Sequence, residues 1–433
     1  MHKSNLPLVL ARALAVLLIF GTAAWAASKE TILYNFAGGS GDGEYPIGGL
    51  VSDRAGNLYG TTGAGGSYGN CSPFGETCGV VFELTPASGG PWKESVLYTF
   101  TGGVDGGLPE SSLTIDASGN LYGTATIGGT YGVGNVFMLT PGSGGWTQSV
   151  LYSFAGGSDG AYPKSAAPLL LKNGNLYGTT YAGGGNNCLN APSGCGVVFQ
   201  LVPGNGSWTE NVLWRFTNGA DGAFPYSSIV ADNTGSLYGT TTQGGYLQGN
   251  CQPYGCGNVF QLQNSSNGWT LNTLYSFTGG TDGGQPWGTP TLDSAGNLYA
   301  TASTSGSYYY GTIFELKPAT NGWKFRVLHT FMGPPDAGVS EAGLLQRGTT
   351  FYGTSYGGGT GSGCFFGSPC GTVFKLVHVK KSWKESVLYS FTNNGTDGIE
   401  PEAALISDKK GNLYGTGYAG GKYGYGTVFK IKP

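Results

Sequence analysis

The sequence predicts an all-β fold, a seven-bladed β-propeller with four antiparallel strands per blade, and three observations carry that prediction. A block of the form (L/F)-Y-(G/A)-T recurs seven times, with its Tyr at Tyr59, Tyr122, Tyr177, Tyr238, Tyr299, Tyr352 and Tyr414. Each copy holds four strand-like segments separated by Gly, Pro, Asp and Asn clusters, which are turn signals. The copies are 53 to 63 residues apart, the length of a propeller blade and too long for one coil of a β-helix.

Segment A runs from a Pro to an aliphatic residue and usually an Asp, as in Pro109 to Asp116. Segment B is the Asn-Leu-Tyr-Gly-Thr block. Segment C reads Gly-x-(V/I)-Phe-x-(L/I), as in Gly311 to Leu316, and segment D starts at a Trp and ends in Leu-(Y/W/H)-x-Phe, as in Trp146 to Phe154. In C and D apolar residues fall on alternate positions (Val96, Tyr98, Phe100) with apolar residues between them, the pattern of a strand buried on both faces. No stretch holds a 3.6-residue apolar period, so helices are expected to be nearly absent.

The two ends complement each other. The repeats are preceded by a lone segment D, residues 31–36, and the seventh copy has a segment C, residues 426–431, without a D. Pairing the two closes the ring and removes both exposed sheet edges.

Residues 1–26 differ from the rest. Lys3 and Arg12 precede an apolar run from Ala13 to Phe20 and the small-residue segment ending Ala24-Trp25-Ala26, which predicts a cleaved signal peptide and a propeller over 27–433. The run is shorter than the roughly 20 residues a membrane anchor needs. The expected product is exported, secreted or periplasmic, in association with the cell surface or free of it. It is expected to be monomeric and not inserted in a membrane. With 82 Gly in 433 residues, 39% hydrophobic and 13% aromatic, the composition is that of a turn-rich packed fold rather than a disordered chain. A formal net charge of −3 and 10% charged residues lack the basic footprint of a nucleic-acid binder, and no cofactor or metal motif stands out.

Spacing separates scaffold from decoration. The segment C Phe and the Phe closing segment D are 17 residues apart in five blades and 18 in the first, whereas the segment B Tyr and segment C Phe are 15 apart in blades 2, 5 and 7 and 22 or 23 in the others. The extra length lies in the B–C loops, which hold all eight cysteines in local pairs: Cys71/Cys78, Cys188/Cys195, Cys251/Cys256 and Cys364/Cys370. In an exported chain such pairs read as disulfides, each contributing roughly 2–3 kcal/mol by loop closure. Zinc is the rival, but no His accompanies any pair.

In a propeller the B–C and D–A loops share one face, so the variation is confined to that face, where function resides. Each D–A connection carries an Asp: Asp42, Asp105, Asp159, Asp221, Asp282, Asp336 and Asp397. Seven acids on one face would suit calcium; repetition in every blade favours an Asx-type turn. The slot after the segment A Pro is different, holding Ile47, Glu110, Lys164, Tyr226, Trp287, Glu341 and Glu402 (Ser340 replaces the Pro in blade 6). With segment A innermost, these side chains ring the channel mouth. Glu110, Lys164, Tyr226, Trp287, Glu341 and Glu402 are therefore the ligand-binding candidates.

Tyr68, Tyr131, Tyr181, Tyr246, Tyr308, Tyr309, Tyr310, Tyr356, Tyr418, Tyr423 and Tyr425 crowd the adjoining loops. Aromatic faces with scattered carboxylates suit sugar rings, although any single Tyr is better explained as packing between Gly-rich loops. The expected partner is thus an extracellular glycan or protein surface. The alternative is a polysaccharide hydrolase or lyase using Glu341 and Glu402, which hold equivalent slots on adjacent blades, near Glu400. A match to G-x-S-x-G at Ser355 falls in a slot that Thr fills in blades 1, 3 and 4. None of His2, His329 and His378 is placed to serve it as the base the motif needs.

The run Gly411-Asn412-Leu413-Tyr414-Gly415-Thr416-Gly417-Tyr418-Ala419-Gly420-Gly421 through Gly426-Thr427-Val428-Phe429-Lys430-Ile431 resembles the GloVer tandem repeat of bacterial "choice-of-anchor" surface proteins, with Ala300 for Gly and Phe351 for Leu as departures. The resemblance implies a secreted or surface-displayed bacterial protein and carries over no catalytic residue.

Overall fold

The computed structural model describes residues 28–67, 69, 71, 77–87, 92–164, 169–185, 188, 193–248, 250–364 and 369–433. Residues 1–26, read above as a signal peptide, and Tyr68 lie outside them.

Seven four-stranded antiparallel sheets form seven blades, each in the order A-B-C-D. Blade 2 is representative: strand A is Thr114–Ile115, B Leu121–Ala125, C Asn135–Gly142 and D Gly145–Ser153. Among the described residues every regular element is a strand, and no helix is long and apolar enough to cross a membrane. Blade 7 takes A, B and C from Ile406–Ser407, Leu413–Gly417 and Thr427–Lys432. Its D strand is Lys29–Asn35, running antiparallel from Lys29↔Lys432 to Asn35↔Thr427. The expected closure is the observed one.

Three repeat residues join neighbouring blades. The B-strand Thr donates its hydroxyl to a carbonyl of the next blade's segment A in all seven cases, at 2.7–3.4 Å, from Thr61 on Ser111 to Thr416 on Gly48 across the closure. The Phe ending each D strand meets the next blade's C-strand Phe at centroid distances of 5.0–5.3 Å, from Phe36–Phe82 to Phe391–Phe429. Such edge contacts are worth about 0.5–1.5 kcal/mol each beyond burial. The B-strand Gly makes room for that ring: a Cβ on Gly60 would lie 2.5 Å from Phe82 Cζ.

The C strands are buried on both faces, as the alternation predicts. The D strands are not. They form the outer edge and are mostly half-buried, and their mixed apolar run has another cause. In every blade the C–D register slips by one residue, and the skipped residue is a Leu: Leu33, Leu97, Leu151, Leu213, Leu274, Leu328 or Leu388. A β-bulge turns that extra side chain inward beside its neighbour. The Leu-Tyr pair of segment D is therefore the signature of a bulge.

Candidate functional site

The D–A connections and B–C loops pair with one another in every blade, through two-residue ladders in four and single bridges in three. Both loop sets therefore lie on one face. From it the chain turns down into segment A at the Pro, and the residue just before that position adopts a positive φ in all seven blades: Tyr45, Leu108, Tyr162, Phe224, Gln285, Val339 and Glu400, at 51–59°. For bulky side chains this conformation costs on the order of 1–3 kcal/mol and persists only where the surroundings over-determine it.

They do so here. Each of the seven donates its N–H to a loop carbonyl of the preceding blade at 2.7–2.9 Å, and each carbonyl accepts an N–H from its own B–C loop at 2.9–3.3 Å. This ring, missed by sequence reasoning, forms a second variable layer at the channel mouth. Its signal was present as the unmatched bulky residue before each Pro, but the left-handed backbone was not legible there.

All four disulfides form as paired, with no free cysteine, and they bear on this ring. The carbonyls of Cys78, Cys195, Cys256 and Cys370 accept the N–H of Leu108, Phe224, Gln285 and Glu400. Two residues beyond those four stand Glu110, Tyr226, Trp287 and Glu402. Each disulfide thus braces the backbone under one candidate side chain, in the next blade.

The candidates converge. Tyr226, Trp287, Glu341 and Glu402 line one cavity of about 800 Å³ that runs beside segment A from the loop face to the A–B turns at Asn233 and Ser294. Tyr226 and Trp287 meet edge to face at 4.5 Å, and Tyr181 meets Tyr226 at 6.3 Å. The Glu110 carboxylate faces Tyr226 together with Glu341 and Glu402, and helps hold its hydroxyl well above the ordinary range, after burial itself. Lys164 pairs with Glu110 at 3.6 Å, which also accepts from Thr126 Oγ1 at 3.2 Å. Ile47 is half-buried and contributes no polar group.

Burial pushes Glu341 up to about 7. Glu402 is pushed up to about 8 by burial and then by the charges of Glu341, Glu400 and Glu110, with Lys164 opposing. Both therefore exchange protons near neutrality, and the pocket sets carboxyl chemistry beside aromatic rings.

The loop tyrosines divide. Tyr181 and Tyr418 stack on Phe224 and Tyr45 of the positive-φ ring at 4.8 and 5.1 Å, and Tyr356 feels the charges of Glu400, Glu402 and Glu341. Tyr131, Tyr246, Tyr308, Tyr309, Tyr310 and Tyr423 are exposed; the rings of Tyr310 and Tyr425 pack against Gly333 and Tyr45 respectively. Ser355 repeats the hydrogen bond of its Thr counterparts, donating to Gly357 O at 2.7 Å as Thr62 does to Ala64 O.

Similarity to solved structures lies in the fold. A fungal alcohol oxidase of the AA5 family, solved with copper, superposes with a TM-score of 0.55 at 12% identity over 94% of this chain and 76% of its own. A protein of unknown function from Dyadobacter fermentans gives 0.44 at 11% over 94% and 100%. A putative 6-phosphogluconolactonase from Bacteroides uniformis gives 0.47 at 13% over 83% and 88%. At such identities the oxidase speaks for the architecture only, and the other two carry no argument. No curated protein matches the chain. The repeat itself is recognised over residues 19–191, 74–250 and 248–433, and the chain belongs to the Gloeobacter/Verrucomicrobia repeat family.

Proposed function

We propose that this propeller is an exported binding module that takes a glycan at the channel mouth on its loop face. The observation that carries the reading is the Tyr226–Trp287 pair beside Glu341 and Glu402 in one cavity, at the repeat position whose residue the template leaves undetermined. Aromatic faces offer apolar area to the C–H faces of a sugar, and carboxylates accept from its hydroxyls. Four disulfides suit an oxidising compartment.

Trp287→Ala and Tyr226→Ala are expected to lower binding at least tenfold on a glycan array while leaving the melting temperature within a few degrees of the parent. Unchanged binding in both variants would place the site elsewhere. The raised carboxyls favour one second reading, hydrolysis or lysis of a polysaccharide by Glu341 and Glu402. That reading requires turnover which Glu341→Gln or Glu402→Gln eliminates.

A further inference from the structure

The channel mouth is short of positive charge. Its cation, Lys164, is already paired with Glu110. Glu341 and Glu402 accept no hydrogen bond from any described residue, and the influences acting on them are burial and, for Glu402, neighbouring charges, with Lys164 offering the opposing one. Glu400, on the positive-φ ring, is buried and raised by the same burial.

In the same cavity as these carboxylates stand Tyr226 and Trp287, with Tyr181 against Tyr226 and Tyr356 within reach of the Glu341 and Glu402 charges. A cavity wall that joins aromatic faces to uncompensated carboxylates is complementary to an alkylammonium. The ring quadrupoles attract it and the carboxylates are its counter-ions. A neutral sugar would supply Glu341 and Glu402 with no counter-ion.

Resting on the glycan reading, we infer that the glycan carries a free amino group, as an amino sugar without its acetyl cap, seated between the Tyr226–Trp287 pair and the Glu341 and Glu402 carboxylates. The charge of such a ligand favours the ionised carboxylates, so binding near neutral pH expels protons from the site. The groups that set this exchange are Glu341, Glu400 and Glu402, with Glu110, Lys164 and Tyr226 facing them.

The test titrates the full chain with four probes: a glucosamine oligomer, an N-acetylglucosamine oligomer, a glucose oligomer and spermidine. Calorimetry in two buffers of different ionisation enthalpy reads the protons released. Binding of the glucosamine oligomer at least tenfold tighter than either neutral oligomer, with proton release, supports the inference. That preference should fall to near parity in Glu341→Gln/Glu402→Gln while circular dichroism stays native.

Equal affinity for the charged and neutral oligomers overturns the inference and leaves the glycan reading standing. Spermidine bound while every oligosaccharide fails overturns the glycan reading and keeps the ammonium site. Binding of none of the four overturns both. Should the double variant not fold, Trp287→Ala supplies the control, since losing an aromatic wall should weaken the amine-bearing oligomer at least tenfold.

Discussion

Five residues separate the Asp of each D–A connection from the slot after the Pro, and the two positions behave in opposite ways: the Asp never changes, while the slot holds Ile, Glu, Lys, Tyr, Trp, Glu and Glu. The Asp carboxylate accepts from the side chain of its D strand in all seven blades, at 3.0–3.2 Å. The donor is Tyr at five junctions, Trp214 of blade 3 at the fourth and His329 of blade 5 at the sixth. It also accepts the backbone N–H just after the closing Phe, as Asp282 does from Thr278 at 2.8 Å. The Asx turn expected from sequence is one part of a fuller set of bonds. The slot residue has its backbone fixed by the Thr clasp and, in six blades, the Pro, while in blades 4 to 7 its side chain lines the cavity. Invariance marks a group whose partners lie inside the chain; variation marks one that the repeat scaffold does not fix.

The largest effect expected on the scaffold side is loss of closure. Deleting residues 28–36 removes the D strand of blade 7 and the Phe36–Phe82 contact, and opens blade 7 and blade 1 to solvent together. A drop in melting temperature of 20 °C or more, on the order of half a dozen lost ladder bonds and a core Phe, should follow. A truncated chain melting with the parent would mean that the ring closes without this strand.

Next in size comes a direct contrast five residues apart. Asp282→Ala leaves the Tyr275 hydroxyl and the Thr278 N–H and hydroxyl without their acceptor, a loss of roughly 2–4 kcal/mol. Trp287→Ala trims a side chain that lines a cavity and should cost roughly 1 kcal/mol or less while removing ligand binding. Urea titration of the two variants reads both costs. Similar destabilisation in both would erase the distinction between scaffold and site.

How legible all this was follows from the same distinction. Blade number, strand order, closure and disulfide pairing rest on features repeated or paired along the chain, so period and spacing reveal them. The slot from Ile47 to Glu402 was visible as the place where the period fails. The D-strand bulge was misread because alternation cannot tell a two-faced strand from a skipped residue: Val96-Leu97-Tyr98 looks the same either way. The positive-φ ring was invisible because Pro restricts the residue before it to extended conformations in most chains. Only the opposing carbonyls of the next-door blade, such as Cys78 O on Leu108 N–H, reverse that preference.

The smallest effect tests whether the junction acids stay inert to ligand. At four junctions a D-strand Glu of the following blade lies against the Asp: Glu94 by Asp42, Glu210 by Asp159, Glu385 by Asp336 and Glu30 by Asp397. Burial first and the adjacent Asp after it push Glu94 and Glu210 up to about 7 and Glu30 and Glu385 up to about 9. One oxygen of each is sealed from water with no donor to accept from, a position that a proton on the Glu, donated to the Asp carboxylate, would satisfy. In blade 2 the same position is Gln148, whose Nε2 donates to Asp105 O at 3.2 Å. Because the folded chain holds these protons above the unfolded value of about 4.3, their stabilisation is complete below that pH. It is lost as pH rises through 7 and 9. The melting temperature should fall from pH 5 to pH 9, and Glu385→Gln, copying Gln148, should flatten that fall by a few degrees, on the order expected of a single buried group. A parent that gains stability over this range, or a variant with the parent's slope, would refute the shared-proton junction. Glu341 and Glu402 contribute with the same sign, so the decisive measurement repeats the pH series with the amine-bearing oligomer. The ligand should cancel the channel's share of the slope and leave the part removed by Glu385→Gln untouched, because Glu341 and Glu402 line the cavity while Glu385 lies against Asp336.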